Sequence, residues 1–175
     1  VELLDRVGKR GDGIYTRVRS IVTMMFRVGV ERGLIEDNPA HTLPKRPKKA
    51  RERVLTDAEL AVIWYGIEKT MAAPAMIGMI RFLTLTGLRV SEAAGARWGD
   101  VRDGVLAVSS TKTGNAHYVP LSAQALAVIE AVPAHGDHIF STYHARRWRP
   151  IHTRSVSSAP RYYDHFGLPH WTIHD

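Results

Sequence analysis

The sequence contains no cysteine, which excludes a disulfide framework and any thiolate metal site, and with them the small secreted scaffolds. It has no long apolar run either. The stretch Thr70–Ile80 is cut by Arg81, well short of the roughly 20 residues a bilayer-spanning helix needs. No signal-peptide pattern stands at the N-terminus, and there are no internal repeats or low-complexity segments. The expectation left by these absences is a soluble intracellular protein. A hydrophobic content of 45% suits a packed core and is too high for a disordered tail. With 175 residues the chain has room for one domain, or one domain and part of another.

What is present in excess is positive charge, and it is unevenly placed. The net charge is +7, split as +6 over residues 1–55, −2 over 56–144 and +3 over 145–175. The densest part is Lys45-Arg46-Pro47-Lys48-Lys49-Ala50-Arg51-Glu52-Arg53, six cations and one anion in nine residues. A second cluster is Arg146-Arg147-Trp148-Arg149, followed by Arg154. Two cationic clusters flanking a nearly neutral body suit a polyphosphate partner, because neutralising phosphates releases condensed counterions. A nucleic acid is therefore the expected partner.

Periodicity supplies the elements. Ile14, Val18, Ile21, Val22 and Met25 recur at helical spacing, so residues 13–33 read as an amphipathic helix closed by Gly33. One long helix cannot make a core alone, so residues 1–43 read as the tail of a helical domain. Pro44, Pro47 and the charge run make residues 44–54 a basic linker, and 55–175 a second domain. Thr56 with Glu59 forms a capping-box pattern that starts a helix. A buried helix follows from about Ala72, with Pro74 in its first turn and Thr86-Gly87 as its stop. Ser91 begins a short helix to about Ala96. Val105–Val108 and Ala116–Val119 read as a β-hairpin around Thr111-Lys112-Thr113-Gly114-Asn115. Ser122 caps a helix to about Val132, Ile139-Phe140 is a small buried insertion, and a last helix covers about 153–166, disturbed by Pro160. The fold class is mainly α with one small antiparallel sheet, an α+β arrangement.

Three positions carry candidate chemistry. Arg89 lies at the mouth of a helix, where free N–H groups favour an anion and the planar guanidinium can hold two phosphate oxygens at once. Lys112, at a hairpin tip, can enter a groove and donate a proton to a leaving oxygen. His174 titrates near neutrality and can serve as acid, base or phosphate ligand. His135-Gly136-Asp137-His138 and the pair His170 and His174 have loose metal-ligand spacing, but without cysteines or a helical HExxH pattern no metal is expected.

Thr86-Gly87-Leu88-Arg89-Val90-Ser91-Glu92, then Lys112-Thr113-Gly114 leading into Val119-Pro120-Leu121-Ser122, then Trp171-Thr172-Ile173-His174-Asp175 resemble, in this order, the catalytic domain of the tyrosine recombinases, or phage integrases. Gly33-Leu34-Ile35-Glu36-Asp37-Asn38-Pro39-Ala40 is similar to the end of that family's core-binding domain. The resemblance implies that Arg89 holds the non-bridging oxygens of a scissile phosphate, that Lys112 is general acid to the leaving 5′-hydroxyl, that His174 opens a His-x-x-Arg box, and that Glu92 orients Arg89. It implies site-specific recombination or integration through a 3′-phosphotyrosyl link. Bond energy is conserved in that link, so neither nucleotide cofactor nor metal is needed. It further implies other recombinase subunits on the DNA, and a cytoplasmic, nucleoid-associated setting of prokaryotic or phage origin. The family's second arginine and its tyrosine would fall after His174, whereas Tyr15, Tyr65, Tyr118, Tyr143, Tyr162 and Tyr163 all precede it. The chain is thus expected to be a piece of the enzyme that binds DNA without the nucleophile, through Lys45, Arg46, Lys48, Lys49, Arg51 and Arg53 and through Arg146, Arg147 and Arg149. The alternatives are an inactive DNA-binding or regulatory module and a type IB topoisomerase-like enzyme.

Overall fold

The computed structural model describes residues 2–47, 53–108 and 116–173, and it divides the chain into two compact units, residues 1–52 and 53–175. In the first unit, helix α1 (Glu2–Gly8) precedes helix α2 (Asp12–Glu31). The sequence pattern anticipated α2 and not α1, whose seven residues are too few to show a period. α2 closes in a Schellman turn: Leu34 N–H donates to Gly29 C=O at 2.9 Å and Gly33 N–H to Val30 C=O at 2.9 Å. The chain then folds back along α2. Asn38 Nδ2 donates to Thr23 C=O at 3.0 Å, Arg19 Nε to Leu43 C=O at 2.9 Å, and the buried Tyr15 hydroxyl to Pro44 C=O at 2.9 Å.

The second unit is built around one buried helix. Helix α3 (Asp57–Gly66) begins at the Thr56 capping box, with Glu59 N–H donating to Thr56 Oγ1 and Thr56 N–H to Glu59 Oε2. Helix α4 (Pro74–Thr86) has its proline at the first position, where a missing N–H costs nothing. Met79, Ile80, Phe82 and Leu83 are all buried, and Phe82 meets Phe140 with ring centroids 5.4 Å apart. Helix α5 (Val90–Gly95) follows, then strands β1 (Val101–Arg102), β2 (Val105–Val108) and β3 (His117–Pro120) in an antiparallel sheet of order β1-β2-β3. The expected hairpin has gained a third strand, β1, which at two residues leaves no alternation to read. Helix α6 (Ala123–Glu130) is capped by Ser122, whose Oγ accepts from Ala125 N–H at 3.2 Å. Ile139 and Phe140 are fully buried.

A second sheet then departs from expectation. Strands β4 (Ser141–His144) and β5 (Arg147–Pro150) form a hairpin where only a basic cluster was anticipated. Its two-residue turn, Ala145-Arg146, has φ of 51° and 63°, the positive values an I′ turn requires. Neither residue is the glycine or asparagine that signals such a turn, so the sequence concealed it. Helix α7 (Thr153–Tyr162) stops short of residue 166, and a 3₁₀ turn (Asp164–Gly167) completes the segment. The fold is thus mainly helical with small antiparallel sheets, as expected, with two sheets among the described residues in place of one.

Packing of α4 on α6 is close. A Cβ built at Gly78 lies 2.4 Å from Val132 Cγ2 and 3.5 Å from Phe140 Cε1. Overpacking costs about 1–3 kcal/mol, while alanine regains about 1 kcal/mol of helix propensity. Gly78→Ala is therefore expected to lower the thermal midpoint by about 2–4 °C for each net kcal/mol lost. Circular-dichroism melting checks this, and an unchanged or raised midpoint would mean that Val132 makes room.

Candidate active site and nucleic-acid interface

The turn between α4 and α5 sets the position of Arg89. Thr86 Oγ1 donates to Phe82 C=O at 2.7 Å, and Gly87 takes φ 64°, a left-handed conformation a side chain would strain. Arg89 then becomes the N-cap of α5, which begins at Val90, one residue before the expected Ser91. The reason is Glu92, three residues on, whose Oε2 accepts the Arg89 N–H at 3.0 Å. Its other oxygen, Oε1, accepts from Arg89 Nη1 at 2.8 Å. One carboxylate therefore holds both the main chain and the side chain of the same arginine.

The burial of the pair is unequal. The Glu92 side chain is 3% exposed and that of Arg89 59%. Burial alone pushes the Glu92 carboxyl up. The hydrogen bonds from the Arg89 guanidinium and N–H, with the charges of Arg89 and His117, outweigh that and hold it below the ordinary carboxylate range. Glu92 is thus an anion fixed in the wall, and Arg89 a cation anchored at its base with a free edge in solvent. Since α5 has only six residues, its dipole is short and the guanidinium carries most of the pull on an anion.

Arg89 opens onto a cleft of about 390 Å³, walled by Leu60 and Ile63 of α3, Ile80, Leu83 and Thr84 of α4, and Trp171, Thr172 and Ile173. The fold thereby brings Arg89 beside the residues that lead directly to His174. Trp171 is buried and stacks on Phe166, with centroids 6.3 Å apart, which anchors this segment from the core side. Lys112 and His174 themselves lie outside the described residues, as do Lys48, Lys49 and Arg51.

The remaining basic residues divide into engaged and open. Arg46 donates to Asp12 Oδ1 at 2.8 Å and to Gly8 C=O at 3.2 Å, and its guanidinium lies over the Tyr15 ring, 4.1 Å from the centroid. Arg53 pairs with Glu59 at 2.7 Å. The Thr56 N–H and then this guanidinium hold the Glu59 carboxyl below its usual range. Lys45, Arg146, Arg147 and Arg149 are exposed.

In the β4–β5 hairpin, register sorts the side chains into two faces. Directly opposed residues share a face, so Tyr143 pairs with Trp148 on one side, and Thr142 with Arg149 and His144 with Arg147 on the other. The aromatic side steadies the hairpin: Trp148 stacks on His135 at 3.9 Å and meets Tyr143 at 5.4 Å. The opposite face is polar and basic, and His144 and Arg149 line a cavity of about 570 Å³ with His152 and Ser155 of the α7 N-terminal turn. Sequence reasoning named the arginines and missed the face that groups two of them with His144. The i, i+2 pairs Thr142–His144 and Arg147–Arg149 on either side of Ala145-Arg146 were the available signal.

Residues 53–174 match the family model described as the phage integrase family. The chain belongs to that family. Among curated phage integrases and recombinases, the shufflon-specific DNA recombinase of Escherichia coli is 32% identical over 146 residues, covering 78% of this chain and 37% of the relative. The integrase of Enterobacteria phage 434 is 29% identical over 98 residues, covering 55% of this chain and 27% of the relative. The chain thus spans well under half the length of these integrases and recombinases. Among solved structures, a lambda integrase dimer bound to a COC′ core site superposes with a TM-score of 0.77 at 25% identity, over 99% of this chain and 67% of that one. A lambda integrase tetramer bound to a Holliday junction gives 0.76 at 24% identity, over 99% and 55%, a likeness of fold. Among the described residues no helix is long and apolar enough to cross a membrane.

Proposed function

We propose that this chain supplies the phosphate-binding part of a site-specific DNA recombinase. The observation that carries the reading is the Arg89–Glu92 pair: an exposed guanidinium fixed by a buried carboxylate, opening onto the cleft that ends in Trp171–Ile173. In this role Arg89 holds the non-bridging oxygens of a scissile phosphodiester, and its fixed position lets it stabilise the pentacovalent transition state without reorganising. Lys112 protonates the leaving 5′-hydroxyl and His174 assists at the same phosphate. Glu92 acts only through Arg89. The attacking group is a tyrosine hydroxyl, and the phosphotyrosyl link it forms keeps the bond energy for rejoining. No cofactor enters this scheme.

Double-stranded DNA is the substrate, and further recombinase subunits assemble on it. The lambda integrase assemblies on a COC′ core site and on a Holliday junction support this partner class. Residues 1–43 serve as the end of a core-binding domain and residues 55–175 as the catalytic domain. The open cations Lys45, Arg146, Arg147 and Arg149, with Lys48, Lys49 and Arg51, carry the backbone contacts, while Arg46 and Arg53 contribute less because each is already paired.

Roughly five phosphate contacts give a log–log salt dependence of affinity with a slope of about −4 to −5. Fluorescence anisotropy with a labelled duplex across a salt series tests this. Affinity that is indifferent to salt would refute the electrostatic part of the proposal.

A further inference from the structure

The mechanism above leaves His117 unused, yet register places it beside the site. Leu106 and Val108 of β2 are buried on one face, and with the intervening Ala107 they line a small cavity of about 70 Å³ together with Ser91, Glu92 and Asp100. That face of β2 therefore looks at Glu92. In the antiparallel ladder Val108 is directly opposite His117, and opposed residues project to the same face. The neighbouring Tyr118, paired with Ala107, projects to the other face and is 74% exposed. His117 is thus an exposed imidazole on the Glu92 side of the sheet, at the start of β3 and five residues after Lys112.

We infer that His117 is a positioning residue of the Arg89 site, sharing the buried Glu92 carboxylate with Arg89 so that the guanidinium is held in place without being fully neutralised. The inference rests on the reading of Arg89 as a phosphate ligand. A carboxylate has about four lone-pair sites on its two oxygens, and Arg89 occupies one on each, so Glu92 has capacity for a further donor or nearby cation. The charge of His117 is among the influences that hold the Glu92 carboxyl down, consistent with this placement. The other charged group in the small cavity, Asp100, is an anion and works in the opposite sense. On α4, Arg81 is turned to Trp64 and Glu68, and α7 presents buried Val156 and Ala159. His117, when its imidazole is protonated, is therefore a further cation on the Glu92 side of the sheet. With the imidazole protonated, two cations face one buried anion, and more of the guanidinium's field is left for a phosphate.

The test uses the 175-residue chain and three substitutions, His117→Gln, His117→Arg and Arg89→Ala. His117 is exposed at a strand end, so its variants keep the fold. Titration of Glu92 followed by carboxyl ¹³C NMR is expected to move upward in His117→Gln and to return in His117→Arg. Duplex affinity at constant salt and about pH 5.5, where a free imidazole is charged, is expected to fall about two- to fivefold in His117→Gln, the range for an exposed ion partner, and to recover in His117→Arg. The same fall should vanish when His117→Gln is combined with Arg89→Ala. A Glu92 titration unmoved by His117→Gln, or a loss of equal size with and without Arg89, overturns the inference. An Arg89→Ala variant that binds DNA as the parent does would instead overturn the phosphate-ligand reading, and the NMR titration still decides whether His117 shares the carboxylate.

Discussion

A polypeptide of these 175 residues is expected to retard duplex DNA in a native gel and to leave no covalent protein–DNA band in a denaturing one. Arg89 and its neighbours can bind and polarise a phosphodiester, but a covalent step needs an attacking hydroxyl at the same phosphate. No tyrosine lines the Arg89 cleft among the described residues. Tyr15 is buried in the other unit and donates its hydroxyl to Pro44. Tyr118 projects from the face of β3 away from Glu92, and Tyr143 packs with Trp148 on the aromatic side of its hairpin. Tyr163 packs against the core near Phe166, with centroids 5.7 Å apart. Water in place of tyrosine would attack slowly, because among the described residues no general base lines the cleft to activate it. A nicked suicide duplex, which traps any phosphotyrosyl product, is the direct assay. A detergent-resistant band that maps to one of the six tyrosines would overturn the assignment of the cleft.

The second large effect concerns Arg89→Lys. Lysine keeps the charge and loses the planar fork, so it cannot hold Glu92 and two phosphate oxygens in one plane. It also replaces an anchored group with a flexible ammonium. In a cleavage-competent recombinase carrying this domain, the cleavage rate is expected to fall by about 10²–10³, the loss typical of a transition-state donor. Duplex affinity should change only a few-fold, because the charge is kept and the roughly five contacts of the other cations remain. Single-turnover cleavage beside equilibrium binding separates the two. Equal losses in both would make Arg89 a docking residue.

Local chemistry was the legible part of this sequence. The capping box at Thr56, the proline opening α4, the left-handed Gly87 and the Ser122 cap each depend on residues within four positions of one another. The Arg89–Glu92 spacing belongs to the same class, and it pointed to the candidate site. What escaped was set by distant partners or by elements too short to show a period. Arg46 reads as one more cation in a basic run, yet its partners Asp12 and Tyr15 lie about thirty residues earlier. His117 reads as a strand residue, and only the register with Val108 turns it toward Glu92. The β4–β5 hairpin was hidden because its turn uses alanine and arginine at positive φ.

The double hold of Glu92 on Arg89 has a consequence for how such a site would decay in a lineage freed from selection for catalysis. The bond from Glu92 Oε2 reaches the backbone N–H at position 89, which every residue except proline provides. Drift at position 89 therefore removes the guanidinium and leaves α5 capped. Drift at position 92 removes the cap and leaves a buried gap in the same step. Purifying selection on folding alone would guard the glutamate and ignore the arginine. Inactive descendants of this domain should accordingly keep a carboxylate at position 92 long after position 89 has wandered, and the pair read together dates the loss of function in a way neither residue does alone.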